Sequence, residues 1–208
     1  MLNQHRFSVA LLVLFLLSIV HVATAQQAAA PTRAEALKKN EARLIYPYIK
    51  GSVLSGVLPV ANPDFQVDKQ KSYKLVFDFA FGNPALNNQG TVNPGLEEII
   101  RILNLHSAAG VPDKNLKPVI VLHGPAVSTF FTDGYYQEKF NKPNPNIPLI
   151  QALQAKGVEL IVCGQSLQLR EIDRSKLLPG IKLAYSARTT LSTLQQQGYV
   201  LFAVNTID

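Results

Sequence analysis

The segment GVELIVCGQSL, residues 157–167, decides the fold class. Its middle is apolar at successive positions, and such a run is typical of a strand that is buried on both faces. A second run, KPVIVL at 117–122, ends at His123-Gly124 in the same way. Because parallel sheets covered by helices bury both faces of their strands, the two runs predict a parallel sheet.

Strands and helices are predicted to alternate along the rest of the chain. One helix begins after Asn93, which precedes a proline at the first helical position, and ends at Gly110. The remaining predicted strands are 74–80, 158–162, 181–184 and 199–204, and the remaining helices are 148–156 and 187–197. This order predicts an α/β, doubly wound fold with a parallel sheet of about five strands and helices on both faces.

The first 25 residues are predicted to be a removable signal peptide. His5 and Arg6 precede an apolar run over 9–20, and the small residues at 23–25 suit a signal peptidase. A retained membrane anchor is the alternative, but about twelve residues cover only ~18 Å as a helix, against ~30 Å of hydrocarbon. We therefore expect an exported protein, periplasmic or secreted, with no stable membrane span after signal removal.

Three regions are predicted along the chain. The signal peptide occupies residues 1–25, and residues 26–71 form a linker, a helix over 33–44 and an irregular arm over 45–71. The glycines and prolines of the arm show no sustained periodicity. We expect this arm to pack over the α/β domain, which is predicted to occupy residues 72–208.

Composition favours a buried core and argues against a nucleic-acid partner. Of the 208 residues, 47% are hydrophobic and 16% are charged, a balance typical of globular domains. Loss of Arg6 with the signal peptide lowers the formal net charge from +6 to +5. The basic residues are interrupted by acids and lack the arginine and aromatic pattern of a single-strand-binding groove, so we expect no nucleic acid.

Metal and nucleotide chemistry have no motif in the chain. Cys163 is the single cysteine, and only His106 and His123 remain after signal removal, too few to predict a zinc site. The sequence contains neither GxxxxGK[ST] nor GxGxxG, and GQSLQ at 164–168 lacks the last glycine of a serine-hydrolase elbow. We therefore expect no cofactor and no metal.

A functional site is predicted at the carboxyl ends of the strands, where open parallel sheets bind ligands. Cys163 is the candidate catalytic residue, because the glycine and backbone amides that follow a strand end can stabilise a thiolate. The candidate substrate-binding residues lie at the ends of the first three strands: Asn83, His123, Gly124, Gly164, Gln165 and Ser166. Ser186 follows the fourth strand.

Each candidate also has a purely structural interpretation. Cys163 can be a small packing residue, since free cysteine is among the most buried residue types. His123 can cap its strand rather than act as a base toward Cys163. Gln165 and Ser166 can cap the following turn, or donate hydrogen bonds to an anion or a persulfide. The residues themselves do not choose between these alternatives.

Several of these motifs together resemble the DsrE/DsrF-like family, over about residues 73–204. They are VIVLHGPAV at 119–127, GVELIVCGQSL at 157–167, PGIKLAYSARTTLSTLQQQGYVLF at 179–202 and GLEEIIRILNLHSAAGVP at 95–112. The resemblance implies a parallel α/β sandwich that assembles into homo-oligomers, trimers or hexamers. In sulfur-relay members, a cysteine after a central strand carries a persulfide, and Cys163 is the position that matches it.

Two functions are compatible with the sequence. One is an exported DsrE-like protein that binds or transfers sulfur as a persulfide on Cys163, with a small sulfur-containing ligand or an exported protein as partner. The other is a non-catalytic oligomeric module that binds a ligand or protein, with Cys163 as a packing residue. The aromatic pairs 130–131 and 135–136 are expected in loops, where they would suit an oligomer interface.

Overall fold

The computed structural model describes residues 30–82 and 90–204. The predicted signal peptide and the candidate Asn83 lie outside these described residues. Within the two described ranges, every helix is too short or too polar to cross a membrane.

Five parallel strands form one sheet at the centre of the domain. In chain order they are β1 (Tyr73–Phe79), β2 (Leu116–Leu122), β3 (Glu159–Cys163), β4 (Lys182–Ala184) and β5 (Val200–Val204). The spatial order is β4-β3-β2-β1-β5, and every pairing is parallel. The chain therefore adds strands outward from β1 to β4 and then returns to the other side of β1.

Six α-helices accompany the sheet within the described residues. They are α1 (Arg33–Lys39), α2 (Pro94–Ala108), α3 (Asp133–Phe140), α4 (Ile147–Ala155), α5 (Gly164–Leu169) and α6 (Ala187–Gln196). Local sequence fixes their starts: the Asn93 side chain accepts from Gly95 N at 2.8 Å with Pro94 following, and Ser186 Oγ accepts from Thr189 N at 3.1 Å. The predicted α/β fold, with a five-stranded parallel sheet and helices on both faces, is confirmed.

The first face of the sheet, covered by α2 and α4, carries the larger hydrophobic core. Alternate residues of the strands, such as Phe77 and Phe79 in β1 and Leu122 in β2, point to this face and are fully buried. They pack against apolar residues of α2 and α4 such as Ile99 and Leu153.

Among the described residues, α6 covers the second face. Its smaller cluster joins the alternate strand residues Val76, Val121 and Ile161 with Ala187 and Leu191 of α6. Cys163 belongs to this cluster as well. The helix that returns the chain from β4 to β5 thus places its amino terminus beside the end of β3.

The arm over 45–71 packs on α2. Its regular structure is limited to a 3-10 turn, Val53–Ser55, and an isolated bridge between Ile45 and Val57. Asn104 of α2 is fully buried and binds the arm backbone four times: Tyr48 N at 2.8 Å, Ile49 N at 3.1 Å, and the carbonyls of Ile49 and Ser55 at 2.9 Å each. The side-chain amide of Asn104 therefore satisfies backbone groups of the arm that have no partner in a helix or sheet.

Two local predictions are corrected by the structure. The helix predicted over 33–44 ends at Lys39, where the Asn40 side chain donates to Ala36 O at 2.9 Å, and only a 3-10 turn follows. Of the aromatic residues predicted in loops, Phe130 ends a 3-10 helix (Gly124–Phe130) and Phe131 follows it directly, while Tyr135 and Tyr136 lie in α3. Three of these four aromatic side chains, Phe130, Phe131 and Tyr136, are buried in the core, so they do not form an exposed interface.

Candidate functional site

Cys163 is the last residue of β3 and the N-cap of α5, on the second face of the sheet. Its side chain is 5% exposed and lines a pocket of about 300 Å³. The polar residues that share this pocket are Asp78, His123, Gln165, Ser186 and Arg188. The pocket lies where the cover provided by α6 begins, at the carboxyl ends of β1, β2 and β3.

Two opposing effects act on the Cys163 thiol. Burial raises its pKa, because the charged form loses water. Hydrogen bonds from the Ser166 hydroxyl and from the amides of Ala187, Ser166 and Gln165 favour the thiolate, and the net pKa is lowered. The donors come from the first turns of two helices, α5 and α6, and stabilise a negatively charged sulfur. We call this set of donors the cradle.

The Ser166 hydroxyl is oriented by Gly124. Gly124 N donates to Ser166 Oγ at 3.0 Å, which occupies an acceptor lone pair and leaves the hydroxyl proton for Cys163. Gly124 has a φ of +55°, a conformation that L side chains rarely adopt. The turn after β2 therefore contributes to the cysteine site through its backbone rather than through a side chain.

Gly164 allows α5 to start directly against β4. A Cβ at this position would lie 2.7 Å from Ala184 O and 3.3 Å from Tyr185 O, both of them backbone atoms. Only a residue without a side chain fits this approach without a shift of the chain. The glycine after the cysteine therefore fixes how close the amides of α5 come to the thiol.

His123 and Asp78 form a second polar pair in the same pocket. The two atoms Nε2 of His123 and Oδ1 of Asp78 lie 2.6 Å apart. A carboxylate accepts hydrogen bonds only, so His123 Nε2 is the donor of this contact. Both side chains line the pocket together with Cys163.

The structure places the predicted residues in different roles. Cys163, His123 and Gln165 line the pocket, and Ser166 binds the thiol. Gly124 and Gly164 act through the backbone, without lining this pocket. Asn83 lies outside the described residues.

Three contributors were not predicted from the sequence. Asp78 lies inside the apolar run of β1, and its charge was the one signal that could have identified it. Arg188 and the amide of Ala187 reach the site because α6 returns over the second face. Strand order, which a single sequence does not give, was needed to place them.

Within the described residues, no group of three or more His, Cys, Asp or Glu side chains could hold a metal ion. The chemistry available in the pocket is that of a thiol, an imidazole with a carboxylate, and a guanidinium.

A parallel α/β domain with a hydrogen-bonded cysteine at a strand end is the class that the fold and the site define. The sequence model of the DsrE/DsrF-like family matches residues 74–204, which is most of the chain. The protein belongs to the DsrE/DsrF-like family.

Two solved structures are similar to the chain. One is a protein of unknown function, MTH1491 from Methanobacterium thermoautotrophicum, with 18% identity and a TM-score of 0.46. The other is the ychN protein from E. coli, with 17% identity and a TM-score of 0.45. Each match covers 63% of this chain and 98% of the other. No curated protein sequence matches the chain.

Proposed function

We propose that the protein binds and transfers sulfane sulfur through Cys163. The observation that carries the proposal is the position of the thiol: Cys163 lines a pocket of about 300 Å³ where α5 and α6 begin. Donors of Ser166, Gln165 and Ala187 lower its pKa although burial opposes ionisation. The thiolate is the nucleophilic form of cysteine.

The proposed chemistry is two exchanges of a sulfur–sulfur bond. In the first, the Cys163 thiolate attacks the outer sulfur of a persulfide or polysulfide donor. A new S–S bond forms on Cys163, the donor's S–S bond breaks, and its electron pair leaves on the donor's inner sulfur. In the second, an acceptor thiolate attacks the outer sulfur, and Cys163 leaves as the thiolate. No external oxidant or reductant is consumed.

The pocket suits an anionic sulfur chain. Arg188, at the start of α6, lines the pocket, and the amide of Ala187 donates toward the thiol. Both favour negative charge in the pocket. His123 lines the same pocket, and its ring is held by the contact of 2.6 Å between Nε2 and Asp78 Oδ1. These residues would act after a donor enters the pocket of about 300 Å³.

Mass spectrometry tests the proposal directly. The folded protein, without residues 1–25, is treated with inorganic polysulfide, and we expect Cys163 to gain one sulfur that a small thiol then removes. A folded protein that stays unmodified, with reaction only after unfolding, would contradict the proposal. Ser192→Cys is the matched control, because it places a thiol on the exposed side of α6 without this cradle.

One observation favours the non-catalytic binding module. Cys163 is 5% exposed and packs with Val119, Val121 and Ala187, as a structural cysteine would. A Cys163→Ala variant distinguishes the two functions. If the protein is a non-catalytic binding module, the variant would bind its ligand or partner at wild-type strength. Under our proposal, the variant would lose sulfur transfer.

We further propose that the chain is exported and forms a homo-oligomer, a trimer or hexamer. The small-residue motif at 23–25 after an apolar run supports export. Exposed apolar side chains support assembly: Leu183 in the edge strand β4 is 50% exposed, Tyr185 after it 81%, and Leu169 at the end of α5 84%. Amino-terminal sequencing of the cell-expressed protein tests the first, and a monomer mass in light scattering would contradict the second.

A further inference from the structure

A second pocket lies at the carboxyl end of the sheet, and Cys163 does not line it. It has a volume of about 430 Å³ and is walled by Val127, Phe131, Tyr135 and Phe140. All four belong to, or pack against, the core of the first face, whereas Cys163 belongs to the cluster of the second face. The two pockets therefore serve opposite faces of the same sheet edge.

Contacts between aromatic rings hold the walls of this pocket in place. The rings of Phe131 and Tyr135 lie 4.7 Å apart, and those of Tyr136 and Phe140 lie 4.6 Å apart, both tilted. Phe131 is buried, while Tyr135 and Phe140 are partly exposed toward the pocket. A concave apolar surface of this size is typical of small-molecule sites.

Positive charge marks the rim. Lys139 and Arg170 both line the pocket. Lys139 Nζ lies 5.2 Å from the centre of the Tyr135 ring, and its acidic neighbour Glu138 is 4.0 Å away in an exposed pair. Within the described residues, the Arg170 guanidinium has no ion pair, although guanidinium is the side chain best suited to a carboxylate or sulfonate.

We propose that this pocket binds a small organic anion with an aromatic or aliphatic body. The aromatic walls would bury the body, and Lys139 with Arg170 would hold the anionic group. A neutral apolar ligand would use only the walls, and a compact inorganic anion only the rim. Apolar walls together with a basic rim therefore favour an amphipathic anion over a neutral apolar ligand or an inorganic anion.

A pair of fluorescent probes tests the proposal with the signal-free protein. They are 8-anilinonaphthalene-1-sulfonate and N-phenyl-1-naphthylamine, which share a ring system and differ in the sulfonate. We expect the sulfonate to bind more tightly, and added salt to weaken it alone. Lys139→Gln with Arg170→Gln should weaken the sulfonate roughly tenfold, the sum of two exposed charge contacts, and leave the neutral probe unchanged.

Three further variants locate the probe. Lys114→Gln removes an exposed charge elsewhere and should bind both probes as wild type does. Ser128→Trp adds bulk inside this pocket and should weaken both probes. Arg188→Gln removes the cation of the Cys163 pocket and should have no effect.

The outcomes decide between the two pockets. Wild-type affinity of the sulfonate for the Lys139 and Arg170 double variant would overturn the proposal, as would loss of binding in Arg188→Gln or no binding at all. Both side chains are exposed, so the double variant should fold, and circular dichroism checks this. The result is independent of sulfur transfer, because Cys163 takes no part in it.

Discussion

The two faces of the sheet differ in how completely they are covered, and the difference separates stability from chemistry. The core of the first face contains 27 buried residues, and the cluster of the second face contains seven, among the residues described. Buried apolar area is the main source of folding free energy. We infer that the first face holds the fold together, while the lightly covered second face leaves room for a pocket beside Cys163.

The polar groups of the two faces also differ in whether they are bonded to one another or face a pocket. At the carboxyl end of the first face, Asn93 donates to Thr129 Oγ1 at 2.9 Å and to Asn146 Oδ1 at 2.7 Å, and Asn146 Nδ2 donates to Asn144 Oδ1 at 2.8 Å. These buried groups satisfy one another. Those of the second face, including His123, line a pocket instead, where a ligand can reach them.

The largest expected effect comes from truncating one leucine on each face. Leu122→Ala, fully buried on the first face, should lower the free energy of unfolding by ~4 kcal/mol, and Leu191→Ala on α6 by ~2 kcal/mol, because a partly covered site collapses more easily. Urea denaturation measures both. Equal losses of unfolding free energy in the two variants would contradict the proposed difference between the faces.

The next effect concerns the arm that covers α2. Asn104→Ala should cost ~3 kcal/mol, because it leaves the backbone groups of Tyr48, Ile49 and Ser55 without partners. Proteolysis within 45–71 should become faster as well. Asn115→Ala, which removes one exposed bond to Lys69 O, is the control and should change little. An unchanged cleavage rate in Asn104→Ala would mean that other contacts hold the arm.

A smaller effect is expected where the second face meets α5. Gly164→Ala should cost ~2 kcal/mol and slow the alkylation of Cys163, because the new Cβ meets the backbone of Ala184 and must push the amides of α5 away from the thiol. Gly134→Ala is the control: nothing lies within 4 Å of its Cβ, and alanine favours α3 by up to ~1 kcal/mol. If Cys163 in the Gly164→Ala variant were alkylated at the wild-type rate, Gly164 would not shape the surroundings of the thiol.

The fold was largely predictable because its signals are local. The apolar run at 117–122 and the run that ends at Cys163 each became a strand within one residue of the predicted bounds. Asn93 predicted where α2 starts, and the helix predicted from residue 187 does start there, after the Ser186 cap. Helix α3 was missed, since its buried Tyr136 lies among polar residues and gives little helical periodicity.

The site was predictable only in part because it depends on contacts between distant segments. Cys163 and Ser166 stand in one motif, so the sequence could pair them. The bond between Gly124 N and Ser166 Oγ joins the turn after β2 to α5, and the amide of Ala187 comes from the start of α6. Asp78 was hidden inside a strand, where only its proximity to His123 gives it a role.

The pH dependence of Cys163 alkylation in the folded, signal-free protein tests the central claim most directly. The cradle lowers the pKa, so the labelling rate should rise with pH through a midpoint below the ~8.5 of a free thiol and level off above it. In denaturant the midpoint should return to the ordinary value, and Ser166→Ala should raise it in the folded state. A thiol that stays protected until unfolding, or that titrates at the ordinary value when folded, would contradict the account.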